Sequence, residues 1–120
     1  MPIKIFGIPN CNTVKKARDW LTSNNISYEF VDFKKQLPTE PQLQAWLSKV
    51  EIDQLINRKG TTWRSLSAEQ QRLVQTQSGA ITLMISKPSV IKRPVLQSEN
   101  EIILGFDEVI YANFLNKSHV

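Results

Sequence analysis

The first part of the chain has the hydrophobic pattern of a strand, a helix and a second strand. The β-branched and aromatic run of about Ile3 to Phe6 predicts a strand that leads into a turn containing Gly and Pro. A helix of about Asn12 to Asn24 follows, and its apolar residues recur at helical spacing: Val14, Ala17, Trp20 and Leu21. The alternating run Ser27 to Phe33 predicts a second strand, so the segment forms a right-handed βαβ unit with parallel strands.

The middle of the chain is predicted to be helical. Thr39 to Gln42 and Ser67 to Gln70 match capping boxes, which mark the starts of helices. The helix that the first box opens has a buried stripe formed by Leu43, Trp46, Leu47 and Val50. A short helix, Ile52 to Ile56, and a polar run, Asn57 to Arg64, lie between the two boxes. An apolar helix of about Ala80 to Ser86 ends the segment.

The last part of the chain returns to strands. Two apolar runs, Val90 to Leu96 and Glu101 to Gly105, flank a polar turn of Gln97 to Asn100 and predict an antiparallel hairpin. Asp107 caps a last helix, and the tail from Asn116 to Val120 is expected to fray. The predicted face of that helix consists of Ile110, Tyr111, Phe114 and Leu115.

This order of elements predicts an α/β thioredoxin-like fold. The core is βαβ followed by ββα, within a single domain of residues 1–120 that carries a helical insertion of about 39–86. With 120 residues, 41% of them hydrophobic, the chain can bury a core without disulfides or metals. The net charge of +4 comes from scattered cations, without a basic stripe or a nucleic-acid-reading motif. The scattered charges predict no nucleic-acid partner, while a single cysteine and the lack of a membrane-length apolar run predict a cytoplasmic protein without a membrane partner. We also expect a monomer.

Cys11 is the only cysteine and stands where the first loop meets the first helix. The free N–H groups of a helix and the positive end of its dipole converge there, and such positions stabilise a thiolate. A lone cysteine can also be a small buried apolar residue, but the neighbours of a buried cysteine are normally apolar. Here they include Asn12, Thr13 and Lys15. Cys11 is therefore the candidate nucleophile.

The rest of the sequence limits the chemistry available to this cysteine. A resolving cysteine would stand three positions further on, where the chain has Val14, so the thiol chemistry needs an external thiol such as cytosolic glutathione. The only histidine, His119, lies in the predicted tail, and position 17 is Ala rather than the Arg of a Cys-x5-Arg phosphatase loop. One cysteine and one histidine are too few ligands for a zinc site, so we expect no metal site. We also expect no bound cofactor, with glutathione acting as a co-substrate.

Three motifs, in this order along the chain, resemble the arsenate reductase-like (ArsC/Spx) family and within it the YffB branch: Gly7 to Ala17, Arg58 to Arg64, and Ile91 to Pro94. The resemblance covers essentially the whole chain. It implies the glutaredoxin-like variant of the thioredoxin fold and a glutathione-dependent thiol reductase that acts on a small or protein thiol or disulfide.

The resemblance also implies which residues surround the cysteine. Arg58 and Arg93 fall on two positions where arsenate reductases have arginines, but the third falls near Gly105, where no arginine stands. True arsenate reduction is therefore not expected. The Arg93–Pro94 bond is predicted to be cis, with its backbone beside the cysteine; the alternative is a trans proline at the start of an edge strand.

Two further questions stay open at this stage. Thr61, Thr62 and Trp63 are candidates to line a glutathione groove, while Trp63 is equally well placed to be a core anchor, as Trp20 and Trp46 are expected to be. The family also includes Spx-type regulators that contact RNA polymerase. Those proteins carry a Cys-x-x-Cys switch, which Val14 removes here, so the enzyme is the preferred hypothesis and the regulatory binding protein its alternative.

Overall fold

The computed structural model describes residues 2–99 and 101–118. Asn100 of the predicted turn, and His119 and Val120 of the predicted tail, lie outside the described residues. The chain forms two compact units, one of Met1–Lys34 with Arg93–Val120 and one of Lys35–Lys92. That the chain acts as one domain with an insertion stays a prediction.

The first unit contains the described strands and two helices. In chain order these are β1 (Ile3–Gly7), α1 (Asn12–Ser23), β2 (Glu29–Asp32), β3 (Val95–Ser98), β4 (Glu101–Leu104) and α7 (Glu108–Ser118). The second unit contains α2 (Glu40–Leu47), α3 (Ile52–Leu55), α4 (Thr61–Arg64), α5 (Ala68–Arg72) and α6 (Gln77–Ser86). Two short 3₁₀ turns, Leu73–Gln75 and Pro88–Val90, flank α6.

The four strands form one sheet in the order β2-β1-β3-β4. Strand β1 pairs in parallel with β2 and antiparallel with β3, and β3 pairs antiparallel with β4. The predicted βαβ unit and hairpin are thus confirmed. Helices α1 and α7 pack on this sheet through a buried cluster: Ile3, Ile5, Ala17, Leu21, Leu96, Tyr111, Phe114 and Leu115.

Capping side chains set the starts of several helices in the second unit. The Thr39 hydroxyl accepts a hydrogen bond from the backbone N–H of Gln42, and Ser67 and Gln70 form the reciprocal capping box that the sequence predicts. In α2, Leu43 and Trp46 are buried, whereas Leu47 and Val50 of the predicted stripe are only half-buried. The expectation that Trp46 is a core residue is confirmed, while Trp20 packs partly buried against the first unit's core.

Several predicted boundaries are wrong. Gln97 and Ser98 belong to β3 rather than to the turn, because they pair with Lys4 and Ile3 of β1. Val90 ends a 3₁₀ turn and is not part of a strand. The last helix extends to Ser118, two residues beyond the predicted start of the tail at Asn116, and that the tail frays stays a prediction.

The predicted buried face of that last helix and the polar run also need correction. Ile110 is 50% exposed, because α7 meets the core through Tyr111, Phe114 and Leu115. The polar run contains the helical turn α4, and α6 begins at Gln77, three residues before the predicted start. The Thr76 hydroxyl explains the earlier start, since it accepts a hydrogen bond from the N–H of Gly79.

Candidate functional site

Cys11 is the N-cap residue of α1. Its backbone is extended, with φ −111° and ψ 124°, and its carbonyl accepts the hydrogen bond of the Lys15 N–H at 2.9 Å. Within the described part of the chain its side chain makes no capping hydrogen bond, and the residue is half-buried. The thiol therefore lies at the start of a twelve-residue helix without being used to cap it.

The end of β1 fixes where this thiol stands. A Cβ added to Gly7 would lie 2.8 Å from Cγ2 of Val14, so the strand end and the first turn of α1 approach more closely than a side chain at position 7 allows. Val14 is fully buried. The position at which other thiol proteins carry a resolving cysteine thus faces the core here.

The first turn of α1 presents polar side chains beside Cys11. Asn12, Thr13 and Lys15 are all exposed, and no acidic residue stands in that turn. The helix brings these three predicted site residues together with the thiol, and its positive end is not offset by a local carboxylate.

The Arg93–Pro94 segment reaches the same end of β1. Its peptide bond is cis, which confirms the prediction. Phe6 of β1 pairs with Val95 of β3, so continuing the register sets Pro94 opposite Gly7, at the strand end that leads into the Cys11 loop. Pro94 is buried and Arg93 half-buried. Within the first unit, the sheet therefore places the Arg93–Pro94 segment at the strand end from which the Cys11 loop starts.

The remaining predicted site residues belong to the second unit. Arg58 forms an ion pair with Asp53, and its guanidinium carbon lies 5.1 Å from the ring centroid of Trp63. Trp63 is half-buried, unlike the buried Trp46, and its ring provides a surface for Arg58. Thr61 and Thr62 open the helical turn that carries this tryptophan.

Sequence reasoning missed Asp53 as the partner of Arg58. The two residues are five positions apart: Asp53 lies in α3, and Arg58 follows the extended residue Ile56 that ends this helix. No local pattern signals such a contact, since side chains interact regularly only at three- and four-residue spacing within a helix.

The turn after β4 contains the position near which the resemblance to arsenate reductases leads us to expect a third arginine. Gly105 is buried and has φ 78°, a left-handed conformation that favours glycine. The Phe106 ring packs edge-on against Tyr111, with centroids 4.9 Å apart, and the Tyr111 hydroxyl donates a 2.7 Å hydrogen bond to the Gly105 carbonyl. Burial raises the pKa of Tyr111 well above its ordinary value.

The described residues contain neither a cluster of metal-binding side chains nor a membrane-spanning helix. Among residues 2–99 and 101–118, no three His, Cys, Asp or Glu side chains cluster so as to hold a metal ion. None of the helices described there is long and apolar enough to cross a membrane.

The mixed four-stranded sheet in the order β2-β1-β3-β4, covered by helices and with the cysteine at the N-cap of the helix after β1, defines a thioredoxin-like α/β protein, which confirms the predicted fold class. The chain belongs to the ArsC family, whose family model matches residues 6–114. At the level of the family, this supports a thiol-based oxidoreductase.

Individual relatives agree with this assignment. A solved structure named YffB is 36% identical, covers 92% of this chain and 96% of its own, and superposes with a TM-score of 0.88. An arsenate reductase (ArsC) related protein from Brucella melitensis is 39% identical over 96% of this chain and 95% of its own, with a TM-score of 0.74. The global transcriptional regulator Spx of Streptococcus pyogenes is 24% identical over 98% of this chain and 87% of its own. The predicted resemblance to the YffB branch is thus confirmed.

Proposed function

We propose that this protein is a cytoplasmic, glutathione-dependent thiol reductase that acts through Cys11 alone. The observation that carries the proposal is the half-buried Cys11 thiol at the start of α1, which makes no capping hydrogen bond within the described part. Because this is the only cysteine of the chain, every disulfide that it forms must involve a second molecule.

The proposed cycle has two thiol exchanges. In the first, the Cys11 thiolate attacks the glutathionyl sulfur of a mixed disulfide, forms a Cys11–glutathione disulfide and releases the substrate as a thiolate, which takes up a proton. In the second, a glutathione thiolate attacks the glutathionyl sulfur of that adduct and restores Cys11. One glutathione is consumed, glutathione disulfide is formed, and the substrate disulfide is reduced to its thiol.

The other predicted residues have binding roles in this proposal. Asn12, Thr13 and Lys15 offer polar and cationic groups beside the thiol, and the Arg93–Pro94 segment, at the strand end that leads into the Cys11 loop, is proposed to line the bound thiol peptide. In the second unit, Arg58, whose guanidinium pairs with Asp53 and lies over the ring of Trp63, is proposed to bind glutathione together with Thr61, Thr62 and Trp63.

Arsenate is expected to be a poor substrate. The third arginine is absent, and its place is taken by the Gly105 turn with its left-handed backbone and by the packed ring of Phe106. Arsenate reductase assays with glutathione and glutaredoxin should give turnover near the background, while a glutathionylated peptide is reduced.

Mass spectrometry tests the proposal directly. Incubation with glutathione disulfide should add one glutathionyl group per chain, on Cys11, and added glutathione should remove it. Turnover of a glutathionylated peptide should follow ping-pong kinetics and disappear in Cys11→Ser. Ser23→Ala, at the far end of the same helix, is the matched control and should keep full activity. An adduct that glutathione cannot remove would refute the reductase.

A second candidate function is regulation through a binding surface for RNA polymerase. The relatedness to Spx over 98% of this chain favours it. Purified RNA polymerase should then be retained by the immobilised protein, and Cys11→Ser should bind equally well. Retention together with an adduct that cannot be reduced would favour this function over the reductase.

A further inference from the structure

Arg58 extends from a backbone segment of the second unit that is hydrogen-bonded on both sides of it. The N–H of Asn57 donates to the Val90 carbonyl at 2.7 Å, and the Asn57 side chain accepts the N–H of Lys59 at 3.2 Å. Asp53, the partner of Arg58, lies in the helix α3. Both charged side chains therefore start from an ordered backbone, which reduces the freedom that is lost when a ligand binds them.

Two contacts orient the guanidinium of Arg58. One of its terminal nitrogens donates to the carboxylate of Asp53, and its central carbon lies 5.1 Å from the ring centroid of Trp63. Within residues 2–99 and 101–118, the side chains of Asp53 and Arg58 form no hydrogen bond or ion pair except with each other. Because a guanidinium has five N–H donors and a carboxylate two oxygens, donors of Arg58 and one oxygen of Asp53 are left for a ligand.

Both charges can be reached from the solvent, since the side chains of Arg58 and Asp53 are 48% and 73% exposed. A ligand that offers only a carboxylate to Arg58 would bring it close to the like charge of Asp53, which is unfavourable. A ligand that carries an ammonium beside its carboxylate can satisfy both side chains at once. The pair therefore favours a zwitterionic group over a simple anion.

Glutathione has one group of this kind. Its γ-glutamyl end carries an α-ammonium and an α-carboxylate on the same carbon, whereas its glycyl end carries a carboxylate alone. The γ-glutamyl end therefore matches the charges of Asp53 and Arg58, and the glycyl end does not.

We propose that Asp53 and Arg58 form a subsite for the γ-glutamyl end of glutathione, in which Arg58 binds the α-carboxylate and Asp53 binds the α-ammonium. The choice of glutathione rests on the proposed reductase function, while both contacts lie within the second unit. Asp53 then has a role of its own in binding, in addition to orienting Arg58, and it selects glutathione over thiols that lack an amino-acid end.

The binding of S-methylglutathione to the unmodified protein provides the first test, because its methylated sulfur cannot react with Cys11. The comparison ligand is the same compound without the α-amino group. The dissociation constants are measured by NMR from the indole N–H signal of Trp63, one of three tryptophans. Loss of one exposed ion pair should weaken binding about two- to fivefold. Equal binding of the two ligands, or a Trp63 signal that neither ligand shifts, overturns the proposal.

Asp53→Asn tests which carboxylate is responsible. Asparagine keeps an oxygen that can accept the hydrogen bond of Arg58 but carries no charge, so this variant should bind the two ligands equally. The repulsion that Asp53 exerts on the ligand carboxylates is lost for both ligands and cancels in the ratio. Glu69→Gln, which removes an exposed carboxylate from α5 of the same unit, is the matched control and should keep the preference.

A preference that persists in Asp53→Asn overturns the subsite. The reductase is judged separately, by the adduct that glutathione disulfide forms on Cys11. If that adduct does not form while the preference depends on Asp53, the reductase is refuted and the subsite is supported. If the adduct forms and is reduced while Asp53→Asn keeps the preference, only the subsite is wrong.

Discussion

The hydroxyl of Tyr111 in α7 forms a hydrogen bond to the turn after β4, and Tyr111→Phe removes only this hydrogen bond. The side chain is fully buried, and the hydroxyl donates to the Gly105 carbonyl at 2.7 Å. Phenylalanine keeps the ring, which packs edge-on against Trp20 and Phe106 with centroids 5.8 and 4.9 Å away. The substitution therefore measures one buried hydrogen bond with little change in packing.

The expected loss of stability follows from the carbonyl that is left behind. A buried acceptor without its donor costs about 1–3 kcal/mol. For a chain of 120 residues the entropy of unfolding is about 0.25 kcal/mol/K, so Tm should fall by about 4–12 °C. The variant should show this loss at pH 8, where the hydroxyl is protonated in both the folded and the unfolded chain.

The difference should shrink at high pH. Burial raises the pKa of Tyr111 above its usual value of 10.0, so above pH 10 the folded chain keeps a proton that the unfolded chain has lost. Stability then falls as pH rises, because the unfolded state binds fewer protons. At pH 11 this removes about 1.4 kcal/mol from the unmodified protein and nothing from Tyr111→Phe, which cannot ionise there.

Urea unfolding of both proteins at pH 8, 10 and 11, followed by tryptophan fluorescence, measures the difference. All other titrating groups are common to the two proteins and cancel. A difference that stays constant from pH 8 to pH 11 would refute the claim that this phenol is protonated in the folded state. Equal stability at pH 8 would refute the hydrogen bond.

The remaining predictions concern a helix start and the two arginines that are proposed to take part in glutathione binding. Gly79→Ala should destabilise the protein by about 1–3 kcal/mol, measured by urea unfolding. Alanine is the better helix former, but the Cβ of an alanine at position 79 would lie 2.1 Å from the Leu73 carbonyl oxygen. A more stable variant would contradict this geometry. Arg58→Ala and Arg93→Ala should each slow the formation of the glutathione adduct, measured by mass spectrometry, whereas Lys34→Ala should not. Equal slowing by all three would indicate long-range charge rather than local binding.

Local signals in the sequence were sufficient for the order of elements. The N-caps Thr39 and Ser67 bond the amides that the capping patterns predict, and Asp107 bonds the N–H of Ile110 at the start of α7. Each of these contacts spans three residues, so a short stretch of sequence contains all the information. The position of Cys11 at a helix start could be predicted for the same reason.

The features that depend on distant residues could not be predicted in this way. Ser98 looks like a turn residue, yet it is 2% exposed and lies in β3, because it pairs with Ile3 at the other end of the chain. Ile110 has the spacing of a core residue but falls outside the part of α7 that meets the sheet. The pairing of Arg58 with Asp53 could not be predicted for a different reason, because a spacing of five residues across the end of a helix has no regular contact pattern.

The structure of the turn after β4 disfavours an arginine at positions 105 and 106. An arginine at position 105 would have to adopt φ 78°, which costs a residue with a side chain about 1–2 kcal/mol. An arginine at position 106 would replace a ring that packs on Trp20 and Tyr111, contacts worth about 0.5–1.5 kcal/mol each. A third arginine cannot be added here without loosening the turn that Tyr111 holds. This is why the proposed chemistry rests on a thiol substrate and glutathione rather than on an oxyanion held by three arginines.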